Sequence, residues 1–241
     1  ITIYMSDDHK SAFTMNLISQ LWFMWGQMNP GTLGYDGKTL KSAADFAIRR
    51  MNVAFIGKIH NRINTKLQLS IVNQTFATGG SYSPNRKYND INPVVYPSDF
   101  WVSYVFIPKK LEIGIGLHFN NGVSRLHNGY YHSQILVDFP LFSYPNGNQT
   151  DQAARQLGFF AKGKLARLDY KLGWGKPFVY DETGGNPPPI NRSVAIANQH
   201  FNFKGYINYQ FLDLEENIGN FTYFGEKKIL TVGAGFDYHP N

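Results

Sequence analysis

His200-Phe201-Asn202-Phe203-Lys204-Gly205-Tyr206-Ile207-Asn208-Tyr209-Gln210-Phe211 is the stretch on which the fold turns. Its odd positions carry Phe, Phe, Gly, Ile, Tyr and Phe, and its even positions carry His, Asn, Lys, Tyr, Asn and Gln. A helix would scatter these two sets around its circumference. A strand, with a side-chain period of two, gathers each set on one face, so 200–211 is expected to be a strand with one apolar, aromatic face and one polar face.

The same alternation recurs along the chain. It sets Leu67, Leu69 and Ile71 against Lys66, Gln68 and Ser70, and Ile113, Ile115 and Leu117 against Glu112, Gly114, Gly116 and His118. It sets Leu168, Tyr170 and Leu172 against Arg167, Asp169 and Lys171, and Met15, Leu17, Leu21 and Phe23 against Thr14, Asn16 and Gln20. The pattern predicts ten strands near 1–5, 11–26, 45–59, 64–76, 98–107, 111–118, 152–162, 166–174, 199–212 and 229–238. The connections then run near 6–10, 27–44, 60–63, 77–97, 108–110, 119–151, 163–165, 175–198 and 213–228. Short alternates with long until the last, which is too long for a tight turn and leaves room for strand extensions around 221–224. Transmembrane barrels sort their loops this way, with short periplasmic turns at one end and long extracellular loops at the other. A soluble sandwich, with both ends in water, has no reason to.

Composition permits the same two classes. Of 241 residues, 43% are apolar, 16% aromatic and 17% charged. Yet mean hydropathy is −0.32, and no apolar run approaches the roughly 18 residues a spanning helix needs. A barrel strand needs only one apolar face. The chain has no cysteine, which excludes disulfides and thiol catalysis. It opens on a strand-like segment at 1–5; a secreted precursor would already have lost its signal sequence, so this opening is neutral to the compartment. The expectation is an all-β, antiparallel transmembrane β-barrel of the outer-membrane porin type, a single domain over 1–241. Long extracellular loops are placed near 27–44, 77–97, 119–151 and 175–198. Because the first connection is short, strand parity predicts a strand before Ile1 and a return strand after Asn241, hence about ten strands of a larger even-stranded barrel.

Charge placement points to a lumen. Arg or Lys facing lipid at mid-membrane costs about 2–4 kcal/mol, so strand charges belong inside. The polar faces carry Arg50, Lys58, Lys66, Lys162, Arg167, Lys171 and Lys204 against Glu112 and Asp169. With a net charge of +6, this predicts an interior that favours anions, since low-dielectric walls focus the field. The competing account is interior packing, in which Arg167, Asp169 and Lys171 pair across the barrel. The loop 119–151 carries Arg125, Tyr130, Tyr131 and the apolar run 135–140, and is expected either to fold into the lumen as a constriction or to cap the mouth. Arg125 is the candidate constriction residue; tying the loop to the wall suits it equally. Phe23, Trp25, Trp101, Tyr170, Trp174, Tyr209, Phe211, Phe236 and Tyr238 fall near strand ends, where membrane barrels place aromatic girdles.

Asp45-Phe46-Ala47-Ile48-Arg49-Arg50-Met51 with Gly57-Lys58-Ile59 resembles an early strand pair of the phosphate-selective porin O and P family of Gram-negative bacteria. So does Gly116-Leu117-His118 followed by Gly122-Val123-Ser124-Arg125-Leu126. Thr150-Asp151-Gln152-Ala153-Ala154-Arg155-Gln156-Leu157-Gly158, leading to Lys162-Gly163-Lys164, is similar to a later part of such porins. The resemblance implies a channel in the bacterial outer membrane for passive diffusion of small polar or anionic solutes, phosphate-like anions among them. It implies contact with outer-membrane lipid and lipopolysaccharide, and homo-oligomer or membrane-complex partners.

Catalytic and metal motifs are absent from the sequence. Ser124 with His118 or His127 has no nucleophile elbow, His9, His60, His118, His127, His132, His200 and His239 match no zinc spacing, and Asp7-Asp8 reads as turn chemistry rather than a calcium site. No enzyme, metal or cofactor is expected. Basic and aromatic residues lie on opposite strand faces, whereas a nucleic-acid platform interleaves them, so no nucleic-acid partner is expected. The principal alternative to a diffusion channel is a non-conducting barrel subunit of a secretion or nutrient-uptake assembly. A soluble β-sandwich binding protein is a further one.

Overall fold

The computed structural model describes residues 1–34, 36–74, 95–119, 123–124, 155–176, 201–215 and 225–238. They form ten strands and no helix: β1 (Thr2–Tyr4), β2 (Ala12–Gln27), β3 (Ser42–Ile59), β4 (Ile63–Gln74), β5 (Tyr96–Ile107), β6 (Leu111–His118), β7 (Gln156–Leu165), β8 (Leu168–Gly175), β9 (Asn202–Gln210) and β10 (Thr231–Tyr238). Each strand pairs antiparallel with its sequence neighbour, in a single sheet ordered β1 to β10. The fold is therefore all-β and antiparallel. Among the described residues the ladder does not close on itself: β1 and β10 each have one neighbour, and the sheet is open.

The ten expected strands appear in order, and the turns explain where their ends differ. At 60–62 both His60 and Asn61 have positive φ and the Arg62 N–H closes on the Ile59 carbonyl, which suits the right-handed twist of a hairpin. Pro108 followed by Lys109 at φ 63°, with the Lys110 N–H on the Ile107 carbonyl, follows the type II turn pattern. Ala166, at φ 55°, reverses the chain within two residues, so β7 runs on to Leu165 and β8 begins only at Leu168. Ser6 Oγ (2.8 Å) and the Lys10 N–H (3.1 Å) donate to Asp8 Oδ1 in the first turn. The Lys10 ammonium, 2.9 Å from Asp8 Oδ2, holds that carboxyl well below the usual carboxylate range. Asp8 is thus committed to turn chemistry. Beyond β9 the hairpin continues irregularly, with Phe211 N–H on the Leu230 carbonyl and Asp213 N–H on the Lys228 carbonyl. The extension expected near 221–224 lies outside the described residues.

In a nearest-neighbour meander, connections alternate between the two ends of the sheet. One end holds 5–11, 60–62, 108–110 and 166–167, together with the long 211–230; the other holds 28–41, 75–95, 119–155 and 176–201. Three bulges adjust the alternation. Arg49 is the extra residue opposite Gln20/Leu21, Ser98 the extra residue opposite Gln68/Leu69, and Phe106 the extra residue opposite the start of β6.

A row of glycines, Gly116↔Gly158↔Gly175, crosses β6, β7 and β8 at one level, with Trp101 on β5 and Asn202 on β9 completing it. Larger side chains lean into the space. The Phe160 ring lies where a Cβ on Gly114 would stand, and Gln156 lies where one on Gly175 would. Gly116 also has φ 135°, open only to glycine. Gly114→Ala is expected to destabilise the folded sheet by about 1–3 kcal/mol through overpacking against Phe160. Gly26→Ala, with nothing within 4 Å, is the neutral control. Urea unfolding reads both, and equal midpoints would refute the packing account.

Candidate functional site

The two faces of the sheet are sorted opposite to those of a water-soluble protein. The buried hydrophobic residues are Ala54, Phe160 and Tyr206 alone among those described, while seventeen polar or charged residues are buried. Leu21 is 75%, Phe23 63%, Trp25 64%, Phe46 79% and Phe100 67% exposed. Register accounts for the sorting. Val102↔Ile115↔Phe159↔Trp174↔Phe203↔Tyr238 runs across six strands on the apolar face, and Glu112↔Lys162↔Lys171↔Tyr206↔Gly235 runs across five on the polar face. The charged strand residues whose side chains are described (Lys58, Lys66, Asp99, Glu112, Lys162, Lys164, Asp169, Lys171, Lys204 and Asp237) all fall at polar-face positions.

The polar face is bonded into connected groups. Asp99 Oδ2 is shared by Lys66 Nζ (3.0 Å) and Arg155 Nη2 (3.2 Å), and the Arg155 guanidinium lies 4.7 Å from the centre of the Phe119 ring. Glu112 Oε1 receives Ser103 Oγ (2.6 Å), Asn64 Nδ2 (3.4 Å) and Lys162 Nζ (3.4 Å). Lys162 Nζ also stands 5.7 Å from the Trp101 ring centre and 5.6 Å from that of Phe160. Asp169 accepts from Asn208 (3.0 Å) and Gln210 (2.7 Å), and Lys204 Nζ is 4.0 Å from Asp237. With its amide nitrogen on the Gly175 carbonyl (2.7 Å), Asn202 offers its oxygen to Lys204 Nζ (3.0 Å). Lys171 stands beside Lys162 in the ladder, two lysines on adjacent strands.

The expected residues are therefore placed as follows. Lys66, Lys162, Lys171 and Lys204 come together on the polar face of β4, β7, β8 and β9, and Lys58 is exposed on the same face near the short-turn end of β3. Arg50 stands opposite Gln20 and Val72 in the ladder; its side chain lies outside those described. Arg125 lies outside the described residues. Arg167 departs from expectation. It sits in the two-residue turn after Leu165, exposed, and its Nη1 donates to the carbonyls of Gln210, Phe211 and Leu212 at 3.1, 3.1 and 2.9 Å. It closes the end of β9 and takes no part in an Asp169–Lys171 network. Arg62 does the same for Val105 and Phe106, at 3.0 Å each. Trp101 also departs: because Phe100, Val102 and Tyr104 take the apolar face, Trp101 points the other way, edge-on to Phe160.

The sequence reading missed Asp99, Arg155 and Asp237 as members of this face. The signal for Asp99 was masked by its bulge, which places two polar residues, Ser98 and Asp99, in succession. Asp237 was legible from strand parity once Lys204 had been placed. Basic side chains nevertheless outnumber acidic ones on the described polar face: Lys58, Lys66, Arg155, Lys162, Lys164, Lys171 and Lys204 against Asp99, Glu112, Asp169 and Asp237. No group of three or more His, Asp or Glu side chains converges as a metal site among the described residues.

Asp99→Asn leaves the buried Arg155 and the half-buried Lys66 sharing a neutral partner and is expected to cost about 3–5 kcal/mol. Asp8→Asn, in an exposed, solvent-screened pair, is the small-effect control. Thermal and urea unfolding separate the two, and a similar small loss for both would show the Asp99 group to be dispensable. No protein-family model matches the chain, and no curated relative matches it.

Proposed function

We propose that this chain forms a transmembrane β-barrel of the bacterial outer membrane, a porin that passes small polar or anionic solutes by passive diffusion. The observation that carries the reading is the reversed sorting of the faces, with a buried, ion-paired polar face and a continuous exposed apolar one. Water would make that apolar face costly at about 25 cal/mol per Å². Lipid makes it favourable.

The aromatics support the same reading. Phe201 packs edge-on to Trp174 at one level, and Phe211 edge-on to Tyr209 at the other. The ten residue steps from Phe201 to Phe211 span about 33 Å along a strand, or about 25 Å along a barrel axis at a tilt of about 40°, the height of a barrel's lipid-facing band. Long connections at one end and mostly short ones at the other fit extracellular loops and periplasmic turns. The excess of lysines on the polar face favours anions, in line with the resemblance to the phosphate-selective porin O and P family.

One observation favours a second reading, the non-conducting barrel subunit of a larger outer-membrane assembly. On β8 and β9 the polar face is sealed, with Asp169 and Asn202 0% and Lys204 1% exposed.

Planar-bilayer conductance under a salt gradient tests both. Steady conductance with anion preference, reduced in Lys162→Gln, is expected; steady conductance with cation preference keeps the channel and removes the charge argument. Silence from folded protein favours the assembly subunit. Leu172→Arg tests the lipid face separately: at mid-membrane it is expected to cost about 2–4 kcal/mol in folding into vesicles. An unchanged folding yield and unfolding midpoint would rule out lipid at that face.

A further inference from the structure

We infer that the short-turn end of β3 to β8 is a binding arc for anionic phospholipid headgroups, in which three successive hairpin turns present basic side chains to phosphate beside the apolar face. The inference rests on the membrane reading and adds a partner for this rim. All three hairpins close on the same pattern. Their last pairs are Ile59↔Ile63, Ile107↔Leu111 and Leu165↔Leu168, all at apolar-face positions. Between them stand His60-Asn61-Arg62, Pro108-Lys109-Lys110 and Ala166-Arg167. The last place is basic each time, and no turn contains Asp or Glu. Arg62, Lys109, Lys110 and Arg167 are exposed, as are Ile107 and Leu165 at the edge of the apolar face. From Arg62 to Ile63, Lys110 to Leu111 and Arg167 to Leu168, the chain passes from cationic to apolar in one step of about 3.4 Å. A lipid leaflet presents the same order, phosphate and then hydrocarbon.

The arc is held in place by its own backbone. The Arg62 carbonyl accepts from the Val105 N–H (2.7 Å), the Lys109 carbonyl from the Lys164 N–H (2.9 Å), and the Arg167 carbonyl from the Gln210 N–H (2.8 Å). Each turn is thereby tied to the hairpin that follows it. Tyr170 also donates to the Lys110 carbonyl at 2.8 Å. The turns, two strand spacings or about 10 Å apart, hold their cations side by side before any ligand arrives, so binding orders little that is not already ordered.

The two arginines bind their strand-end carbonyls through Nη1. Each pinned guanidinium keeps Nε and Nη2 for a phosphate, which accepts such a fork in bidentate fashion. Among the described residues no carboxylate stands within ion-pair distance of Arg62, Lys109, Lys110 or Arg167. The turn between β1 and β2 is the contrast: it carries Asp7 and Asp8, and its Lys10 is neutralised by Asp8 at 2.9 Å. An acidic protein would match the charge of the arc. A phospholipid matches the charge and also covers the apolar pair that flanks every turn.

Lipid selectivity of the full chain in bilayers tests the arc. Nitroxide-labelled phosphatidylglycerol and nitroxide-labelled phosphatidylcholine are added separately, and electron spin resonance reads the fraction of each immobilised at the protein. The expected result is a preference for phosphatidylglycerol of roughly two- to fivefold. Salt weakens it, and the double variant Lys109→Gln/Lys110→Gln loses most of it. Lys38→Gln/Lys41→Gln, exposed at the opposite end of the sheet, keeps it. Equal immobilisation of the two lipids overturns the arc, leaves its cations to an acidic protein and keeps the membrane reading. A preference that survives Lys109→Gln/Lys110→Gln, or falls equally in Lys38→Gln/Lys41→Gln, also overturns the arc. Immobilisation of neither lipid overturns the membrane reading and the arc with it.

Discussion

Everything in this structure depends on the period-two alternation imposed by a nearest-neighbour antiparallel ladder. Because each strand pairs only with its sequence neighbours, side chains keep their face from strand to strand, and a residue's parity decides its environment. Ten strands in phase turn that local rule into two global surfaces. One is lined by Phe, Leu, Ile, Trp and Tyr and left exposed; the other carries the charged side chains and is buried. The bulges at Arg49, Ser98 and Phe106 are the places where the phase is locally reset.

Burying the polar face imposes a second requirement, since a charge removed from water must find partners. The partners here come from adjacent strands or from two strands away: Lys66 and Arg155 on Asp99, Lys162, Ser103 and Asn64 on Glu112, Asn208 and Gln210 on Asp169. Bonds that skip a strand, such as Asn64 to Glu112 across β5, require long side chains to lie over small neighbours. The glycines of β6, β7 and β8 provide the room. The interior is in this way a polar analogue of a packed core, with amides and ion pairs in place of interlocking methyl groups. The long-loop and short-turn ends add the asymmetry. Arg62 and Arg167 bind strand-end carbonyls at the short-turn end, where few other groups are available to satisfy them.

The stretch 200–211 determined its own strand and both of its faces, and the same holds for β2, β4, β6 and β8, because alternation is a local property that survives any packing. The sequence by itself also determined the ten strands of the described residues and the sorting of connection lengths, since both follow from where glycine, proline and polar clusters interrupt the alternation. What only the tertiary structure decided is which charges meet. Asp99 reaches Arg155 across 56 positions of sequence, and no pattern within either segment encodes that approach. Arg167, read as a polar-face residue, became a clamp on β9 because the turn at Ala166 ends β7 later than alternation implies. Trp101, read as girdle, turned inward because its neighbours had taken the outer face. Parity is written into each strand, but pairing across the polar face is fixed only when every strand is in place.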